Sequence, residues 1–434
     1  MKLRKYLSAD SLFKLVREGF EKIKDYRDNA SNNIKVSLSD ALMSAFAMFS
    51  LKDASLLAFE ESNRNNVNLK AIYHINEVPC DTQMRTILDE VRVEDIAPLY
   101  KKVFSQLQRG NVLKEMAFDK GRYLISVDGT GYFSSKEIHC GSCLEKKNSK
   151  TGEITYHHQM LGAVIVHPDF KEVIPLMPEP IIKQDGESKN DCECNAGKRF
   201  FERLRREHPH LPIIITEDSL SANAPHLAEL EKHKLDYIIG AKEGDHAFLF
   251  NFIRSSNLSH HEYKVGRTIH RFRFINQVPL NESNQDVLVN FLEYWEIKGD
   301  KIQRFSWIVS DFLRKDNVYK MMRGGRTRWK VENETFNTLK NRNYNFEHNY
   351  GHGKKNLSVI FALLMMLAFL VDQAQQLSCL LFQAVWKKSG SKKNLWRSMR
   401  SLFFSAEFDS MASIFKALLY GFKKPRLEIL NNTS

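Results

Sequence analysis

No apolar run in this chain is long enough to read as a membrane crossing. The longest, Leu357 to Val371, covers 15 residues and stops at Asp372. That is short of the roughly 20 a bilayer requires, and it reads as a buried helix. Nor does an apolar stretch of signal-peptide length follow the basic start Met1-Lys2-Leu3-Arg4-Lys5, so a cytoplasmic location is expected. Cysteine is sparse, with 6 in 434 residues, and in a reducing compartment disulfides are not expected. Cys140-x-x-Cys143 together with Cys192-x-Cys194, with His139 alongside, has the ingredients of a zinc site; the other reading is free thiols, buried or on the surface. There is no internal repeat at a solenoid period, and no Gly/Ser linker sets off the first 120 residues.

What is present is basic charge. Hydrophobic content of 43% and charged content of 27% are ordinary for a globular protein, and the length suits two or three domains. The balance of 64 Lys+Arg against 52 Asp+Glu leaves a net charge of +12. A long, well-patterned basic chain suggests a polyanion partner, most simply nucleic acid. An acidic membrane surface is the alternative, but no anchor accompanies it.

Along the chain, residues 1–120 read as a helical N-terminal domain. Leu12, Leu15, Val16, Phe20 and Ile23 form a stripe at helical spacing, and Ser39-Asp40 stands as a cap before the apolar helix from Ala41 to Phe49. Pro79 to Leu88 reads as a turn, a cap and a short helix. Thr82, Gln83 and Arg85 on it would either touch DNA, as in a helix-turn-helix, or lie on a plain surface helix. From Tyr123 the period switches to strands. Tyr123-Leu124-Ile125-Ser126-Val127 ends in Asp128, and Leu211 to Thr216 ends in Glu217-Asp218. Further strands are expected at 161–166, 173–176 and 237–242, with helices from Phe200 to Glu207 and from His226 to Glu231, which makes an α/β core. Residues 245–310 read as a β-rich insertion, residues 311–386 as the remainder of the core, and residues 387–434 as a basic, peripheral helical tail. Trp295 and Trp307 fall in apolar strand patterns and are expected to pack. His348 and His352 are expected to pack within a loop.

Arg328-Trp329-Lys330-Val331-Glu332-Asn333-Glu334-Thr335-Phe336-Asn337-Thr338-Leu339-Lys340 reads as one helix. Trp329, Phe336 and Leu339 would face the core, while Arg328 and Glu332, four apart, share a face with Lys340 near them. An ion-pair ladder looks the same. It gives no reason, however, for an aspartate at the end of each of two buried strands, which is costly unless it binds something. Three carboxylates from two strands and a helix, in a basic chain, suit a pair of hard divalent cations with open positions for water and phosphate.

The runs Val127-Asp128-Gly129-Thr130, Glu217-Asp218-Ser219-Leu220 and Arg328-Trp329-Lys330-Val331-Glu332, with a lysine downstream, resemble the DDE transposases of bacterial insertion sequences. The likeness covers residues 120–370, and is nearest the group with a β insertion before the glutamate. The resemblance implies an RNase H-like mixed sheet flanked by helices, a site for two Mg²⁺ or Mn²⁺ ions, and cutting and joining of transposon ends. By the same resemblance Asp128, Asp218 and Glu332 are the catalytic metal ligands, with Glu334 the alternative for the third. Arg328 and Lys340 match the motif's cations, and with Arg323 and Arg326 they are expected to contact DNA phosphates. Lys340 stands eight residues after Glu332, one more than the family's usual seven, and Gly325 stands where the family has a tyrosine. The implied partners are terminal inverted repeats and target DNA, bound by a homodimer associated with the nucleoid. A nuclease that cuts without joining and a DNA-binding relative without catalysis are the rival readings.

Overall fold

The computed structural model describes residues 6–27, 34–183 and 192–421; the basic start at 1–5 and the end of the tail from 422 lie outside them. Among the described residues eleven strands follow in chain order: β1 (Tyr123–Ser135), β2 (Leu144–Lys147), β3 (Ile154–Val166), β4 (Ile174–Pro175), β5 (Glu179–Ile181), β6 (Ile213–Glu217), β7 (Asp236–Gly240), β8 (Ser259–Val265), β9 (Thr268–Asn281), β10 (Asn284–Lys298) and β11 (Lys301–Val309). They form one mixed sheet in the order β2-β3-β1-β6-β7-β11-β10-β9-β8, with β4 and β5 on β3. β1 runs antiparallel to β3 and parallel to β6, and β6 runs parallel to β7.

The first half of β1 and all of β6 are buried, which is why their sequences are near-continuous apolar runs without polar alternation. The β-rich segment is hydrogen-bonded onto the core: β11 pairs antiparallel with β7, so it prolongs the central sheet. Two of its expected strands, around 287–292 and 295–297, are one continuous β10. Trp307 is buried as expected, whereas Trp295 is half-buried, with Arg273 and Arg304 beside its ring. Arg122, just before β1, ties the sheet together through Asp119, Asp236 at the start of β7, and Asp311 after β11.

The N-terminal segment is helical, as its stripes predict. Its second helix, Leu38–Leu51, is capped by Ser37, whose hydroxyl accepts from the Asp40 N–H; Ser39-Asp40 lies inside the first turn. The longest apolar helix, Leu357–Ser378, has 22 residues, more than the apolar run alone suggested. It is long and apolar enough to cross a membrane, but here it is the buried axis of a helical body. It packs against the helices Leu38–Leu51, Asp81–Asp89 and Val93–Arg109. Asp89 caps its entry, its carboxylate accepting the N–H groups of Lys354, Lys355, Asn356 and Leu357 at 2.7–3.0 Å.

The tail is not peripheral where it is described. The Asp10 carboxylate accepts from Met411 and Ala412 at the start of the last helix, and Asn68 donates to the Phe403 and Ala406 carbonyls. Its basic residues mislead because their apolar neighbours Leu395, Trp396, Met399 and Phe403 are all buried, with the Phe403 ring edge-on to Tyr73 and the Lys52 ammonium over the Trp396 ring.

Candidate active site

Asp128 does not end its strand as expected: β1 runs on to Ser135 with Asp128 paired to Gly162, while Asp218 directly follows the end of β6. The parallel register of β1 and β6 matches Ser126 with Thr216, so two residues further on the aspartates stand at corresponding positions. β6 stops because Asp218 caps a short 3₁₀ turn, its carboxylate accepting from the Leu220 N–H at 3.0 Å. Asp128 accepts from the Gly129 N–H at 2.9 Å and lies 3.4 Å from Arg328 Nη1. Arg328 Nη2 is in turn 2.6 Å from Glu332 Oε1. Burial pushes the Asp128 carboxyl up to about 7; Arg328 pulls it down, and the adjacent Glu332 carboxylate pushes it up further.

The segment carrying Glu332 departs from a plain α-helix. Val331–Phe336 is a π-helical turn, followed by α-helix at Asn337–Asn341. A π turn holds one extra residue, which accommodates the eight-residue interval from Glu332 to Lys340. It also re-aims the side chains. Phe336 and Leu339 are buried as expected, but Trp329 is 43% exposed, contrary to its expected place in the core. Glu332 meets Asp128, whereas the charge of Glu334 acts on Lys330, which donates to the His167 carbonyl.

Two contacts seat this segment on the sheet. The Ser126 hydroxyl donates to the Arg328 carbonyl at 2.8 Å. Gly162 on β3, which pairs with Asp128 on β1, has no side chain, and the Phe336 ring fills the vacated space. At Gly325 a side chain would fall 2.4 Å from Trp307 Nε1, so the tyrosine of the resemblance has no room there.

The expected cations divide. Arg326 and Arg328 line a cleft of about 480 Å³ with Asp218, Lys242, Arg304 and Trp329. Arg326 also pairs with Glu296, and its guanidinium lies 4.7 Å from the centre of the Phe305 ring. Arg323 pairs with Asp169, away from this cleft. Lys340 pairs with Glu347 at 2.8 Å instead of with any of the three expected carboxylates.

Glu193 is a further acidic group that sequence reasoning missed. Its Oε1 lies 2.1 Å from where a side chain on Gly129 would begin, beside Asp128. Burial, together with the charges of Asp218 and Glu217, pushes its carboxyl up. Nothing in its local sequence marks it, since it opens an amphipathic helix, Glu193–Glu207. Among the described residues the three expected carboxylates are not drawn into one ion-sized cluster; the Arg328 guanidinium contacts both Asp128 and Glu332. The expected cysteine set also changes: Cys140 and Cys143 meet His158 and His352, while Cys192 and Cys194 are exposed at the start of the Glu193 helix and His139 stacks on Tyr156. In comparisons with protein-family models and with curated proteins, nothing matches the chain.

Proposed function

We propose that the chain is a DDE transposase, which cleaves at the ends of a DNA element and joins the freed ends to target DNA. One observation carries the reading: Asp128 and Glu332 converge on a single cationic group, Arg328, at the strand end where Asp218 also emerges, on the edge of a basic cleft. The β3-β1-β6-β7 order, with the acidic groups at one end of its parallel strands, supports an RNase H-like core.

Carboxylate oxygens are the donors that Mg²⁺ and Mn²⁺ favour, and a guanidinium between two of them shows that positive charge is stable there. Asp128, Asp218 and Glu332 would hold the ions, which when bound stabilise the attacking and leaving oxygens of a phosphodiester. Arg328, released from the carboxylates, is placed to neutralise the scissile phosphate. Arg326, Arg304 and Lys242 contact the flanking backbone, and the exposed face of Trp329 stacks on a base. Water attacks at the element's end, and the 3′ hydroxyl so freed attacks target DNA. No covalent enzyme intermediate is needed. Two ends to be joined call for a homodimer on DNA.

The contact of Arg328 with both Asp128 and Glu332 also favours a second reading, a DNA-binding relative without catalysis. A plasmid bearing the element's own terminal repeats separates the two in Mg²⁺ or Mn²⁺. Cleaved and joined products are expected, with cleavage reduced at least about a hundredfold in Asp128→Asn, Asp218→Asn and Glu332→Gln and retained in Glu334→Gln. Cleavage without joining would identify a nuclease, and binding without cleavage the inactive relative. Full cleavage by all three variants would overturn the reading.

A further inference from the structure

The chain has a second cluster of metal-ligating side chains, distinct from the carboxylates and unused by the proposed chemistry. Cys140 and Cys143 lie in the turn between β1 and β2, His158 lies on β3, and His352 lies in the loop that Asp89 gathers before the Leu357–Ser378 helix. One ligand atom from each of the four lies within 4.8 Å of every other. Cys140 Sγ and Cys143 Sγ are 3.7 Å apart, and His158 Nε2 is 3.3 Å from both. Zinc bonded tetrahedrally at about 2.3 Å to sulfur and about 2.0–2.1 Å to nitrogen sets sulfur–sulfur edges of about 3.8 Å and sulfur–nitrogen edges of about 3.5 Å. The three observed edges match one face of such a tetrahedron, and His352 stands within 4.8 Å of each of its corners.

The fourth corner has an independent sign. His352 Nε2 is buried and has no hydrogen-bond partner, while its Nδ1 lies 3.3 Å from Asn349 Oδ1. An amide oxygen there holds the proton on Nδ1 and leaves the Nε2 lone pair free, which is the support a metal-bound histidine usually has. Loop packing alone would leave that buried nitrogen unpaired at a cost. Cys143, His158 and His352 are buried and Cys140 is half-buried, and Tyr132 and Phe133 pack their rings on the two imidazoles, the enclosure of a structural site.

We infer that Cys140, Cys143, His158 and His352 form a closed, structural zinc site that ties the outer end of the β1–β3 hairpin to the loop entering the Leu357–Ser378 helix. Two thiolates and two neutral imidazoles balance the charge of Zn²⁺. Soft sulfur donors favour zinc over the hard cations suited to the carboxylate cleft. The inference does not rest on the proposed activity.

The test is the metal content of the full chain, purified under reducing conditions with zinc supplied and then dialysed. About one zinc per chain is expected, and Co²⁺ in its place should give thiolate charge-transfer bands with intense tetrahedral d–d bands. Cys140→Ser and His352→Ala should each lose the zinc, while Cys192→Ser and Cys194→Ser should keep it. Should the first two fail to fold, the wild-type stoichiometry and cobalt spectrum still decide. Wild-type protein that neither retains nor takes up zinc overturns the inference. So does full zinc retention in folded Cys140→Ser and His352→Ala, or a Cys140–Cys143 disulfide found in place of the metal.

Discussion

Phe336 occupies the side-chain space of Gly162: a Cβ built there would stand 2.6 Å from Phe336 Cε1. Gly162 is the strand partner of Asp128, so one close approach seats the glutamate-bearing segment against the first carboxylate. Gly162→Ala is expected to overpack this contact, costing about 1–3 kcal/mol and, by shifting Glu332, lowering end cleavage about tenfold or more. Phe336→Leu in the same chain should recover part of both. Thermal unfolding and cleavage assays read the two effects, and an unchanged melting temperature in Gly162→Ala would refute the seating role.

Lys52 and Asp372 are an enclosed ion pair, with side chains 1% and 3% exposed and 2.6 Å between them. The Tyr344 hydroxyl donates to the same carboxylate, and the lysine ammonium lies 4.0 Å from the centre of the Tyr344 ring. Lys52→Met leaves a buried carboxylate short of its cation and is expected to cost about 3–5 kcal/mol. Adding Asp372→Asn should return most of it. Urea midpoints of the two variants decide; equal midpoints for wild type and Lys52→Met would show that the pair is not ionised.

Asp53 supplies a pH dependence of defined sign. It is 2% exposed, with Oδ1 2.6 Å from Arg400 Nη2 and Oδ2 unpaired. Burial raises its carboxyl to about 6 against the pull of Arg400. Because the folded value exceeds the unfolded one, its stabilising contribution is complete below about pH 4 and is lost as pH rises through about 6. The loss is about 3 kcal/mol. Asp53→Asn should flatten that decline in unfolding free energy measured between pH 4.5 and 7.5, taken as roughly spanning the titration. A variant curve parallel to wild type would contradict it.

Asp89 accepts four consecutive N–H groups at the entrance to the long apolar helix. Asp89→Ala is expected to cost about 2–4 kcal/mol, since charged acceptors of backbone donors outweigh neutral ones. Asp89→Asn should lose less, because one oxygen still reaches three of the four donors. Hydrogen exchange at Lys355, Asn356 and Leu357 checks the assignment: faster exchange is expected in Asp89→Ala, and unchanged rates would rule the cap out.

Asp128 and Asp218 were legible because each ends an apolar run too uniform to be an exposed strand. Arg328 and Glu332 were legible because they are four apart and lie close in space on either side of the π turn's start. Trp329 was misplaced because a period of 3.6 cannot register a π turn, whose signal is hydrogen bonding. Glu193, His158 and His352 escaped for a different reason. Their neighbours are brought up by strand register and by the loop on Asp89, and residue spacing carries neither. Cys192-x-Cys194 looked the better partner for Cys140-x-x-Cys143 only because cysteines are easy to count.

The Leu357–Ser378 helix is contacted chiefly by helices that precede it by more than 240 residues, among them Leu38–Leu51 and Val93–Arg109. During synthesis those early helices emerge with their apolar faces uncovered. They stay so while the whole sheet from β1 to β11 is made. The sheet, with Asp128 and Asp218, can therefore assemble first, and the helical body closes last. A ribosome paused before residue 357 would hold a chain whose opening hundred residues still want a partner, and whose need for a chaperone should be greatest there.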